Sequence, residues 1–147
     1  MKNILFVIIC LAFVTGFNSC STDGPEPILL NKDMCDNCRM NISDARFGAE
    51  VQTQKGRYYK FDDLKCLAHY AVEQPNGPIK SFYIHDFSQN NVLIEATKAY
   101  YVWSKEFSSP MRGNTAAFAN RADAEKVAQQ YGSAVDDWET AKKRILE

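Results

Sequence analysis

The order of patterns along the chain predicts an α+β fold, two small hairpin-and-helix (ββα) units packed together. Three observations carry this prediction. Two alternating apolar and polar runs flank Gln54-Lys55-Gly56 and pass directly into helical spacing, and a second series of short strands leads into a second helix. Both fit in 147 residues that are 46% hydrophobic, a length suited to one domain or two very small ones.

The elements follow in order. Asp33 to Ile42, with Cys35 and Cys38, alternates too little for a strand and reads as a loop or tight knuckle. Phe47 to Thr53 and Arg57 to Phe61 form a β-hairpin. Asp62 is placed to cap a helix carrying Leu64, Leu67, Tyr70 and Ala71, which Gln74-Pro75-Asn76-Gly77-Pro78 ends. Strands are predicted over Ser81 to Phe87, Val92 to Glu95, Ala99 to Ser104 and Ala116 to Phe118. Asn120 with Asp123 approximates a capping box for a helix from Arg121 to Tyr131, stopped by Gly132. Val135 to Trp138 adds an edge strand before a terminal helix with Ala141, Ile145 and Leu146 on one face. The units divide at about residue 77, giving 28–77 and 78–147.

The N-terminus has a different composition. Lys2 precedes an unbroken apolar run from Ile4 to Val14, and Gly16 to Ser19 leads to Cys20. Eleven helical residues would span only about 17 Å against a hydrocarbon core of roughly 30 Å, so the run reads as a signal peptide, residues 1–19. Asn18-Ser19-Cys20 is similar to a lipobox, in which the Cys is acylated and becomes the mature terminus; an ordinary secretory signal is the alternative. Residues 20–27, polar with Gly24, Pro25 and Pro27, read as a tether, and the globular part begins near Ile28.

Charge and motif exclude several functions. With 17 basic and 18 acidic residues, net charge −1, no basic excess supports nucleic-acid binding. Asp62-Asp63 and Asp136-Asp137 suit caps and turns better than acid/base pairs, since nothing near them supplies a nucleophile. No hydrolytic constellation stands out.

Sulfur is the distinctive feature. Beyond Cys20 the chain keeps Cys35, Cys38 and Cys66, an odd number that leaves one unpaired or metal-held in an exported protein. Met34 and Met40 bracket the first two thiols, and Met111 stands in Ser109-Pro110-Met111-Arg112-Gly113. Each Met alone reads first as core filling, yet none lies on an apolar stripe. Thiolate and thioether together form a soft donor set suited to Cu(I). Cys66 and His69 stand at i and i+3 on the first helix and share a face. Cys35, Cys38, Cys66 and His69 would equally compose a Cys₃His zinc site, and His85 is a weaker candidate. A C-x-x-C pair also occurs in thiol oxidoreductases. There it opens a helix that lowers a thiol pKa, whereas Arg39-Met40-Asn41-Ile42-Ser43 is a poor helix. A Cys35–Cys38 disulfide would close a tiny loop and stabilise little.

Several motifs taken together resemble the NosL family of copper-binding lipoproteins, accessory proteins of nitrous oxide reductase assembly. They are Met34-Cys35-x-x-Cys38-x-Met40, Phe61-Asp62-Asp63-Leu64-x-Cys66, Ala99-x-Tyr101-Val102, Ser109-Pro110-Met111, and Ala117-Phe118 ahead of an acidic-bearing helix and Gly132. They run from about residue 33 to 135. The resemblance implies an envelope lipoprotein facing the periplasm and anchored through Cys20. It would bind Cu(I) and pass it toward the reductase's copper centres with a membrane transporter complex, as a carrier rather than an enzyme. Its pair of small ββα-type domains agrees with the reading above. Carried over by motif, the ligands are Cys38, Met40, Cys66 and Met111; Cys35 and His69 complete the candidate set read from the residues. Two departures stand out: Arg39 stands between the second Cys and its Met, where the family often has Gly, and Arg112 intervenes after Ser109-Pro110-Met111, where the family is commonly Gly-rich. They either repel a cation or steer an acidic partner.

Overall fold

The computed structural model describes residues 24–147; the export segment and Cys20 lie outside the described residues. Among the described residues, two antiparallel sheets, three α-helices and one 3-10 turn (Ala96–Lys98) make up an α+β fold. The first sheet is built from β1 (Ala49–Thr53), β2 (Tyr58–Phe61), β3 (Ile79–His85) and β4 (Leu93–Glu95) in the order β2-β1-β3-β4. The hairpin pairs Ala49 with Phe61 and Gln52 with Tyr58, as the alternation about Gly56 requires. Beside it β1 also takes β3, with Val51 opposite Phe82. The first sheet therefore runs past residue 78 and ends at Glu95, whereas the sequence places residues 78–95 in the second unit. Local periodicity identifies a strand but carries no record of which neighbour it pairs with.

Helix α1 (Leu64–Glu73) lies on this sheet. Leu64, Leu67, Ala68 and Tyr70 fall on the buried face at spacings of three and four, and a fully buried Leu contributes about 1.5–3 kcal/mol. Its cap is Asp63, whose carboxylate accepts from the Lys65 amide, rather than Asp62. Gln74 ends it in a left-handed conformation (φ 43°) ahead of Pro75. On the other face of β1, Glu50 and Gln52 are covered by the start of the described chain. The Glu26 amide donates to Glu50 Oε1 (2.9 Å), the Tyr58 hydroxyl to the Gly24 carbonyl (2.7 Å), and Lys60 Nζ to the Pro27 carbonyl (2.9 Å). From Gly24 on, the segment read as a tether is thus fastened across the sheet, because the polar side chains of β1 and β2 supply partners for its backbone.

The second sheet has the order β6-β5-β7, from β5 (Tyr100–Trp103), β6 (Thr115–Phe118) and β7 (Val135–Asp136). Helix α2 (Arg121–Tyr131) packs on it through Ala124 and Ala128, capped by Asn120 and stopped by Gly132 at φ 63°. The edge strand ends at Asp136, and Trp138 opens helix α3 (Trp138–Leu146) instead of extending the strand. Asp137 accepts from the Thr140 amide at 2.8 Å, and this cap wins over continued pairing. Ala141 is buried and Ile145 packs against the core, but Leu146 is 41% exposed and leaves the predicted face.

The two sheets share a core. Trp138 packs on Phe82 of the first sheet and Tyr101 of the second, with ring centres 5.3 and 6.0 Å away. The Phe87 amide donates to the Ala117 carbonyl (2.7 Å) beside a bridge between Asp86 and Ala117. Helix α3 also packs against α1 and β5. Among the described residues no helix is long and apolar enough to cross a membrane.

Candidate metal centre

Residues 34–41 fold back on themselves as a knuckle. Met34 bridges Asn41, the Cys35 amide donates to the Met40 carbonyl (2.8 Å), and the Arg39 amide donates to the Cys35 carbonyl (2.9 Å). Residues opposite each other in an antiparallel pair project to the same side. Cys35 and Met40 therefore share one side of the knuckle, and Met34 projects to the other. The turn needs a left-handed residue after Cys38, and Arg39 supplies it at φ 65°. No helix follows Cys38, so the redox arrangement, a C-x-x-C pair opening a helix, is not built here.

The knuckle packs against the start of α1. The sulfur atoms of Cys35, Cys38 and Cys66 and a carboxylate oxygen of Asp62 all lie within 4.8 Å of one another. Cys35, Cys66 and Asp62 are buried, Cys38 is half-buried, and all three thiols are free. The Cys38 thiol donates to Asp62 Oδ2 (3.3 Å), while Asp62 Oδ1 is buried without a partner. A buried carboxylate oxygen left unpaired beside three thiols fits a cation better than an empty core.

Electrostatics within the group are uneven. The Cys66 thiol donates to the Cys35 sulfur, and backbone amides of Cys38, Asp62 and Asn37 point at the same atom, so the Cys35 pKa falls well below that of a free thiol. Burial pushes the Cys38 thiol up, helped by its contacts with Cys35 and Asp62. Donation to Cys35, then burial, pushes Cys66 up. Cys35 is thus the thiol that most readily gives up its proton, and a soft cation binding the group displaces protons from the others.

Met111 arrives from a distant loop, and Asp63 brings it. The Asp63 Oδ2 atom accepts from Ser109 Oγ (2.6 Å), the Met111 amide (3.0 Å) and the Gly113 amide (3.3 Å), while Oδ1 caps α1. A Cβ at Gly113 would collide with the Asp63 carboxylate, which is why the loop closes only with glycine there. Met111 is half-buried against the core that contains Cys35 and Cys66.

The adjacent acids thus divide their work: Asp62 faces the thiols and Asp63 holds the Met111 loop. From sequence Asp62 suits only a cap, and nothing in that reading places it beside the thiols. The available signal was the pair itself, since a helix needs one cap. Of the other candidates, Met40 is 51% exposed at the rim. His69, one turn beyond Cys66, is exposed and lies outside the close group. His85 is buried on β3 against Gly48 and also lies outside it.

The family model described as NosL matches residues 27–145. A copper-binding lipoprotein NosL from Stutzerimonas stutzeri is 26% identical over 131 residues, 83% of this chain and 69% of that protein. The crystal structure of the copper chaperone NosL from Shewanella denitrificans superposes with a TM-score of 0.68 at 21% identity, covering 79% of this chain and 93% of that one.

Proposed function

The chain belongs to the NosL family, and from that premise we propose that it is a copper chaperone, a carrier with no catalytic turnover. The observation that carries this reading is the convergence of Cys35, Cys38 and Cys66 on one point, with the Met111 loop tied to the adjoining residue. Three sulfurs form a soft set that suits Cu(I). Thioether sulfur needs no deprotonation and survives in an oxidising compartment, which gives Met40 and Met111 a place beside the thiols.

Cu(I) is the cargo, held by two to four of Cys35, Cys38, Met40, Cys66 and Met111; His69, exposed and outside the close group, drops from the set. The mutual approach of the three thiols supports them as the inner donors, and exposed Met40 and half-buried Met111 complete the proposed set. A low coordination number leaves room for an acceptor's donor atom to attach before a donor of this chain lets go. By resemblance, the acceptors are nitrous oxide reductase and its membrane transporter complex. The chain would work from the periplasmic face of a membrane, anchored through Cys20.

A second reading has its own observation. Asp62 adds a carboxylate to three thiols, a donor set that also suits tetrahedral Zn²⁺. Anaerobic titration of the reduced protein with Cu(I) against a chromophoric chelator separates the two. The copper reading predicts tight binding that weakens when Met40 or Met111 is changed to Ala. If both variants bind Cu(I) like the parent while Zn²⁺ raises the melting temperature, the zinc reading replaces it.

A further inference from the structure

Six non-glycine residues among those described have positive φ. Asn31, Asn91 and Asn114 are of a type that tolerates it, and Gln74 ends a helix. The remaining two are Arg39 (φ 65°) and Arg112 (φ 58°). Each directly adjoins a sulfur residue: Arg39 lies between Cys38 and Met40, and Arg112 follows Met111. Glycine would fill both positions without strain, so two strained backbones carry two cations to the two loops that bear the sulfur donors.

The loops meet at α1. Cys38 bonds Asp62, and the Met111 loop bonds Asp63. Both guanidinium groups face solvent. The Arg39 side chain is 70% exposed with one long contact to Asp36 (3.7 Å), and among the described residues no ion pair involves Arg112. Lys65, on the first turn of α1, starts its side chain beside the second loop, its Cβ 3.2 Å from where a Cβ on Gly113 would stand. Such charges weaken capture of a monovalent cation modestly: in water each unit charge about 10 Å away changes binding by roughly twofold, so three together change it by less than about tenfold, and salt screens this further. Carboxylates docked against them gain a directed contact, and a screened long-range field speeds encounter.

Resting on the copper reading, we propose that Arg39, Arg112 and Lys65 form a cationic rim that docks an acidic acceptor protein over the thiol site, beside the exposed thioether of Met40. An acceptor bound there brings its own soft donors to the cargo. A phospholipid headgroup has none, so docking a membrane surface at the rim would cover the metal without taking it.

The test uses the Cu(I)-loaded full chain in nonionic detergent and two synthetic acceptor peptides with identical Met and His donors, one flanked by Asp and Glu, the other by Lys. Stopped-flow transfer should favour the acidic peptide by on the order of threefold to tenfold at low salt, falling toward parity at 0.5 M salt as the Debye length shrinks to about 4 Å. Arg39→Gly/Arg112→Gly should abolish the preference while keeping the fold and raising the Cu(I) affinity by no more than about fourfold, and Arg39→Lys/Arg112→Lys should retain the preference. Equal rates for the two peptides, or a preference indifferent to salt and to the double Gly variant, overturn the proposal. So does arginine-dependent capture by phosphatidylglycerol vesicles without peptide preference, which would assign the rim to a membrane. Failure of the full chain to retain Cu(I) at all would instead sink the copper reading itself.

Discussion

Replacing Asp63 with Asn should both destabilise the protein and free the Met111 loop. The Asp63 carboxylate is buried and accepts four hydrogen bonds, from the amides of Lys65, Met111 and Gly113 and from the Ser109 hydroxyl. Asn keeps one oxygen and turns an amide group, itself a donor, toward donors. Bonds to a charged acceptor are worth about 1.5–3 kcal/mol each, and the weakest here is long, so the loss should be about 3 kcal/mol. Asp63→Ala also removes the helix cap and should cost about 1 kcal/mol more. Urea unfolding should show a lower midpoint at unchanged slope. A double-mutant cycle with Ser109→Ala should return a coupling of about 1–2 kcal/mol, and Cu(I) affinity should fall about as far as in Met111→Ala. A loss under about 0.5 kcal/mol, or strict additivity with Ser109→Ala, would refute the idea that this carboxylate holds the loop.

The other predictions concern strain, space and pH. Arg39→Gly relieves a left-handed backbone at φ 65° and should raise stability by roughly 0.5–1 kcal/mol, read as a melting temperature higher by about 2–5 °C. Gly113→Ala drives a methyl group into Asp63 and should cost about 1–3 kcal/mol in urea unfolding. Burial lowers the His85 pKa to about 4 from 6.5. As pH falls from 6.5 toward 4, the unfolded chain takes up a proton the folded chain refuses, so His85 alone should cost up to about 3 kcal/mol, read as the difference in pH dependence of stability between the parent and His85→Gln. Burial pushes the Glu50 carboxyl the other way, up to about 7. Its contribution is full below about pH 4.5 and lost as pH rises through 7, so Glu50→Gln should stabilise at pH 8 by up to about 3 kcal/mol and leave pH 4.5 unchanged.

Much of the fold is legible in local pattern. The hairpin about Gly56 and the helix begun by Asn120 follow from period and capping, and the helix over Leu64–Glu73 follows from period, although its cap is Asp63 and not Asp62. The pairing of β1 with β3 is not legible, because it joins residues some thirty positions apart and leaves no periodic trace. Trp138 was placed in a strand because Val135 and Trp138 suit one, while the competing signal, Asp137 as a cap, has the same chemistry as a turn residue. At the site, clustered sulfur pointed to the three thiols, and geometry brings them together. Asp62 escaped because adjacent acids are equivalent caps until the end of β2 fixes which one turns inward. The left-handed backbone at Arg39 and Arg112 escaped because arginine gives no signal for it.

The central claim is that the sulfur cluster around Cys35 holds Cu(I). X-ray absorption at the copper edge of the reduced, singly loaded protein tests it most directly, with Cys35→Ser, Cys66→Ser and Met111→Ala in parallel. The account predicts a Cu(I) edge and a first shell made predominantly of sulfur, which loses scatterers in the two Ser variants and changes again in Met111→Ala. A shell dominated by nitrogen or oxygen, or one that none of the three substitutions alters, would contradict it.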